Sequence, residues 1–134
     1  MRGTRTPRPV EPVALQTDPV RILRFGAATH NAHRIHYDTR AARAEGLGDP
    51  VVMAQLHGTL FFRAAARYAG DPAAVRSVSW QNRAPAAVGA TLTVTGVVDR
   101  VEGGVVTLRL EERDDRGTVC AVGSAVVAAG TPVC

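Results

Sequence analysis

Cysteine is scarce in this chain of 134 residues: there are two, Cys120 and Cys134, both near the end. No CxxC or HxxxH spacing accompanies either, so neither a disulfide framework nor a metal site is indicated, and the expectation is a small buried residue plus a frayed terminal thiol. Long apolar runs are also missing. None approaches the roughly 18 residues of a membrane span, and the N-terminal MRGTRTPRP is followed by no hydrophobic signal-peptide core, which leads us to expect a cytoplasmic protein that does not enter a membrane. Aromatic residues make up only 4% of the chain and are not interleaved with basic ones on strands. With no helix-turn-helix pattern either, nucleic acid is not an expected partner. The net charge of +4 is carried by arginine alone, scattered along the chain, and describes a solvated surface that attracts anions without specificity.

What remains is the composition of a folded domain. Hydrophobic residues are 46% and charged residues 21%, and the length suits one core and not two. Residues 1–10 are rich in Pro and Arg and lack periodicity, so they read as a flexible N-terminal arm before a single domain over 11–134. VRILRFGA, residues 20–27, alternates apolar and basic residues as a half-buried strand does. The next stretch, through Pro50, is polar and histidine-rich, with a short helix expected from about Thr39 to Glu45. In VVMAQLHGTLFFRAAARYAG the apolar positions Leu56, Leu60, Phe61, Ala64 and Tyr68 recur at helical spacing, and Gly70 with Asp71-Pro72 supplies the stop. Gly58 inside this helix implies a close packing partner or a ligand. The remainder reads as four strands, VRSVSWQN, TLTVTGVVDRVEG, VVTLRLEERD and VCAVGSAVVAA, with DDRG closing a hairpin between the last two. One strand, one long helix and an antiparallel meander make an α+β order in which the sheet can wrap around the helix.

Three stretches carry a family resemblance. FGAATHNAHRIHYD, Phe25 to Asp38, is similar to the hydratase motif of MaoC-like enoyl-thioester hydratases and dehydratases, which have the hot-dog fold. PVVMAQLHGTLF, Pro50 to Phe61, resembles the family segment that enters the central helix, with Met53-Ala54 where His-Gly is usual. WQNRAPAAVGATLTVTG, Trp80 to Gly96, is similar to its strand-turn-strand. The resemblance implies a hot-dog fold, an antiparallel sheet wrapped around one long central helix. It puts Thr29 at a hydroxyl position, Asn31 at the acidic catalytic position, His36 at the catalytic histidine and Asp38 at the closing acid.

Hydration of a 2-enoyl thioester needs a base for water, a proton for C2 and donors for the enolate-like oxygen. Histidine titrates near neutrality and serves both proton steps, which makes His36 the acid/base. Asn31 is an amide and cannot take a proton, so its task is to position water. The resemblance assigns oxyanion or substrate-binding roles to Met53 and Ala54, through the Ala54 N–H at the helix start; from their places on the helix, His57 lines the same pocket or packs at a subunit interface, and Gly58 is a further candidate for substrate binding. The plainer readings favour surface or capping roles for His30 and His33, N-capping for Asp38 and packing for Tyr37 and Trp80.

Three function classes follow: a lyase on a thioester of coenzyme A or acyl carrier protein, a non-catalytic acyl-binding hot-dog subunit, and a hot-dog thioesterase. The last wants a carboxylate at the central helix, and none stands between Pro50 and Tyr68. No cofactor or metal is expected. An exposed sheet edge favours a homodimer, with a hetero-oligomer of hot-dog subunits as the alternative.

Overall fold

The computed structural model describes residues 7–128. Its elements run β1 (Val13–Gln16), α1 (Pro19–Ala28), a 3₁₀ turn (Arg34–His36), α2 (Thr39–Ala44), α3 (Ala54–Ala69), a second 3₁₀ turn (Pro72–Ala74), β2 (Val75–Asn82), β3 (Thr91–Glu102), β4 (Val105–Arg113) and β5 (Val119–Ala128). The strands form one antiparallel sheet in the order β1-β3-β4-β5-β2, and α3 touches every strand of it. Among the described residues, no helix is long and apolar enough to cross a membrane.

α3 organises the core because its apolar residues fall on one face. Leu56, Leu60, Phe61, Ala64 and Ala65 are buried against Leu92, Val94, Leu108 and Leu110 of the sheet. Full burial of a side chain the size of Phe61 contributes about 1.5–3 kcal/mol. The helix ends where Gly70 takes a left-handed φ of 76° and its N–H donates to Ala66 O, as the sequence led us to expect. The β4–β5 hairpin also forms at DDRG: Asp114 Oδ1 accepts from Arg116 N and Thr118 N, and Gly117 turns the chain at φ 82°.

Two local readings need correction. Residues 20–27 are not a strand but most of α1. Asp18 caps the helix by accepting from Arg21 N at 2.8 Å, and Pro19 occupies the first turn, where its missing N–H costs nothing. In a strand Val20 and Ile22 would share a face; here Val20 is 56% exposed and Ile22 2%, and the second buried position is Gly26, one helical turn on. The segment before α1 contains a strand that the sequence did not announce. β1 is four residues long and pairs with β3, Val13 opposite Val94 and Leu15 opposite Leu92.

The described end of the expected arm is docked. Val10 is buried in the core cluster, and the Arg8 guanidinium donates to Tyr68 O and stacks over the Tyr68 ring. The packed part of the chain therefore includes residues 8–10, while residues 1–6 of that arm, like Cys134, lie outside the described residues. Cys120 is buried, as expected.

Candidate active site

The polar segment after α1 is shaped by the way that helix ends. Thr29 Oγ1 donates back to Phe25 O, His30 adopts a left-handed φ of 55°, and Asn31 N–H donates to Gly26 O at 2.8 Å. This is a Schellman-type ending with histidine where glycine is usual. A Cβ on Gly26 would lie 2.8 Å from Asn31 O, so only glycine lets the returning loop come this close. The hydroxyl position of Thr29 is thereby a helix cap.

Asn31 is oriented by its neighbours. Its Oδ1 accepts from His33 N at 3.2 Å, and its Nδ2 donates to Gln55 Oε1 at 3.5 Å. His33 is a capping residue, as expected: its Nδ1 accepts from Ile35 N at 3.3 Å, and its other nitrogen faces Glu45. Asp38 likewise caps α2, accepting from Arg40 N and Ala41 N. Tyr37 departs from the packing role expected of it; it is 56% exposed, with its hydroxyl donating to Ala32 O.

His36 sits at the end of its 3₁₀ turn and is 8% exposed. Its Nδ1 lies 2.7 Å from Val51 O. A carbonyl oxygen only accepts, so Nδ1 carries the proton and Nε2 keeps its lone pair when the ring is neutral. The partner carbonyl belongs to the segment that leads directly into α3, which couples the histidine to the helix start.

His36, Asn31 and Met53 line one cleft with Gly26, Tyr37 and His30, the last read from the sequence as a surface or capping residue, and the cavity is about 450 Å³. Met53 is buried and is the N-cap residue of α3, where it offers no side-chain cap. The N–H groups of Ala54 and Gln55 find no acceptor among the described residues. They are the donors a helix start leaves unpaired, and they favour negative charge. Ala54 does not need a positive φ, so alanine fits there without backbone strain. A larger hollow of about 930 Å³ spans β2 to β5, but no histidine lines it.

The structure does not bring His57 and Gly58 to this cleft. His57 is 3% exposed and its Nδ1–H donates to Oε1 of Glu112, which is fully buried on β4. Gly58 is covered by Trp80: a Cβ there would stand 2.5 Å from the indole. The small residue in the helix thus answers to packing, and Trp80 has the packing role expected of it. Glu112 and Gln55 were not anticipated as site or core polar groups. The signal for Glu112 was the alternation Val106, Leu108, Leu110, which carries one step further to an inward-facing carboxylate.

The chain is similar in fold to several solved structures. The ChsH1–ChsH2 complex from Mycobacterium tuberculosis matches at 23% identity with a TM-score of 0.82, over 93% of this chain and 98% of that one. The (R)-hydratase of A. caviae involved in PHA biosynthesis matches at 18% identity and a TM-score of 0.82, over 95% and 98%. R-hydratase PhaJ1 from Pseudomonas aeruginosa matches at 17% and 0.79, over 89% and 78%. At such identities the likeness is one of fold, and it makes the sheet wrapped on α3 a hot-dog fold. No curated protein matches the chain in sequence. The model of hydroxyacyl-thioester dehydratase type 2 matches residues 3–88, more than half of the chain and every residue of the cleft. On that match, the chain belongs to the hydroxyacyl-thioester dehydratase type 2 family of MaoC-like hot-dog proteins.

Proposed function

We propose that the chain is an acyl-thioester lyase, adding water to a 2-enoyl thioester or removing it from a 3-hydroxyacyl thioester, with His36 as its one proton-transfer group. The observation that carries this reading is the arrangement of His36: Nδ1–H is committed to Val51 O, which leaves Nε2 as the nitrogen available to the cleft beside Asn31. No carboxylate lines that cleft, and of its two imidazoles His30 is exposed while His36 is buried and oriented by Val51 O, so His36 serves both proton steps. In the hydration direction Nε2 takes a proton from water as the water oxygen bonds to C3. The C2–C3 electron pair moves onto the thioester oxygen, which the Ala54 N–H stabilises. The imidazolium then gives its proton to C2, so one water is added and His36 is neutral again.

The acyl group would arrive on coenzyme A or an acyl carrier protein in the cytoplasm. A second copy of the chain is the natural neighbour, because β2 is an edge strand bonded only to β5 and is exposed along most of its length. A specific observation favours a second reading, a non-catalytic acyl-binding subunit of a hetero-oligomer: Asn31 stands where a carboxylate is usual. The thioesterase reading loses ground, since Glu112, the carboxylate bonded to His57 of the central helix, is sealed in the core.

The test is absorbance-monitored hydration of crotonyl-CoA and longer enoyl thioesters. The parent is expected to turn over, and His36→Ala to lose about 10²–10⁴ of kcat/KM, the usual contribution of a general acid/base. Asn31→Asp reports what the amide contributes. A parent that binds thioesters but converts none points to the non-catalytic subunit.

A further inference from the structure

We propose that Asn31 and Gln55 form an amide clamp for the 3-hydroxyl group of the substrate, or for the water that becomes it. The proposal rests on the lyase reading above and assigns a residue outside the Phe25–Asp38 hydratase motif, Gln55. Gln55 is the second residue of α3, exposed, and adjacent to the unpaired Ala54 N–H.

The orientation of the clamp follows from hydrogen-bond bookkeeping. His33 N–H needs an acceptor, and Asn31 Oδ1 supplies it at 3.2 Å; the flipped amide would set two donors against each other. Asn31 therefore presents its NH₂ toward Gln55, whose Oε1 accepts at 3.5 Å. That separation is at the outer limit of a hydrogen bond, so the direct contact is weak and easily replaced. Both amides retain capacity: one Asn31 N–H and one lone pair of Gln55 Oε1 remain uncommitted.

A hydroxyl group suits this pair because it accepts and donates at once. An oxygen about 2.8 Å from both Asn31 Nδ2 and Gln55 Oε1 closes a triangle on the 3.5 Å base, within ordinary hydrogen-bond lengths. It accepts from the asparagine and donates to the glutamine. A saturated acyl chain offers neither function, and a ketone oxygen cannot donate to Gln55. The clamp thus selects 3-hydroxyacyl thioesters over acyl and 3-oxoacyl ones and holds the C3 oxygen in place while His36 moves protons.

Isothermal titration of the full chain with 3-hydroxybutyryl-CoA and with butyryl-CoA tests this without needing turnover. The parent is expected to bind the hydroxyacyl form about five- to tenfold more tightly, the size of one added neutral hydrogen bond. Gln55→Leu, which keeps the bulk and removes the acceptor but leaves the Asn31 donor, is expected to lose most of that preference, with Gln55→Ala as the second variant if leucine disturbs folding. Gln55→Glu, which keeps an acceptor, is expected to retain the preference. Equal or absent binding of the two ligands by the parent, or a preference that persists undiminished in the leucine and alanine variants, overturns the clamp. Failure of the lyase reading shows elsewhere, as a parent that makes no product from crotonyl-CoA yet still prefers the hydroxyacyl ligand.

Discussion

Two histidines of this chain are withdrawn from water, and their surroundings give them opposite uses. His36 is 8% exposed and His57 3%, and each has its Nδ1 engaged. The partner of His36 is a neutral backbone carbonyl, Val51 O, while the ring itself lines the cleft and keeps one nitrogen for what enters. The partner of His57 is a carboxylate in the core, whose second oxygen, Glu112 Oε2, has no hydrogen-bond partner among the described residues. Pairing with a charged group is the stronger interaction, yet it marks the residue that holds the fold. A reacting group needs an orienting partner that leaves its other face free.

The two sites should therefore separate experimentally. His36→Ala is expected to remove activity while leaving stability nearly unchanged. Glu112→Ala should do the reverse, destabilising the chain by about 3–5 kcal/mol because it strands a buried polar partner, while kcat/KM per folded molecule stays within a few-fold of the parent. Urea denaturation with active-site-normalised kinetics checks both. Replacing His57 and Glu112 together by leucine should recover most of the lost stability, as exchanging a buried pair for apolar residues commonly does. The comparison breaks if Glu112→Ala abolishes activity in protein that is still folded.

The sequence shows why one histidine was readable and the other was not. His36 stands inside a contiguous motif, and the structure puts Asn31, His36 and Met53 in one cleft, where that motif and the segment before the central helix led us to expect them. α3 and β2 to β5 were legible for the same reason, as periodic apolar positions between glycine-bearing turns carry their own signal. Glu112 was hidden by its neighbours: Glu111 and Arg113 bond to one another at the surface, so a run of charges concealed one inward position. His57 could be assigned only through that distant carboxylate, and Gly58 only through Trp80, both contacts far along the chain. α1 was misread because Val20, Arg21 and Ile22 mimic strand alternation over a short window; the adjacent apolar pair Ile22-Leu23 breaks it, and Asp18 and Pro19 were the better guide. β1 is too short and too closely flanked by proline to show a period.

A smaller perturbation sharpens the contrast on the helix itself. A Cβ at Gly58 would come within 2.5 Å of the Trp80 ring, so Gly58→Ala forces the indole outward. Overpacking of this kind costs about 1–3 kcal/mol, and the better helix propensity of alanine returns roughly 1 kcal/mol. A net loss of about 0–2 kcal/mol is expected, together with a red shift of the fluorescence of Trp80, the only tryptophan. Hydratase activity should change little, since neither residue lines the His36 cleft. A large loss of activity would mean that the packing of α3 against β2, and not the cleft alone, sets the chemistry.

The smallest expected effect reads the core site directly. Burial, followed by the charges of Asp114 and Glu112, pushes the Cys120 thiol up from 9.0 to about 11. The folded chain holds this proton more tightly than the unfolded one. The resulting stability is complete below about pH 9 and is lost as pH rises through about 11. In a Cys134→Ser background, native Cys120 should resist thiol reagents at neutral pH, both because it is sealed and because little thiolate forms. Cys120→Ala should flatten the alkaline fall in stability. Glu112→Gln should shift that fall slightly to higher pH, toward the alkaline side, only if the Glu112 charge were helping the thiolate; repulsion by the carboxylate requires the opposite. With the charge removed the thiol deprotonates more readily in the folded state, so the pH at which the folded thiol titrates moves down and the fall becomes shallower. Titration of the thiolate absorbance, taken as the difference from the matching Cys120→Ala chain so that the tyrosines cancel, follows this directly, and an unchanged titration in Glu112→Gln would show that the core carboxylate carries no charge for Cys120 to sense.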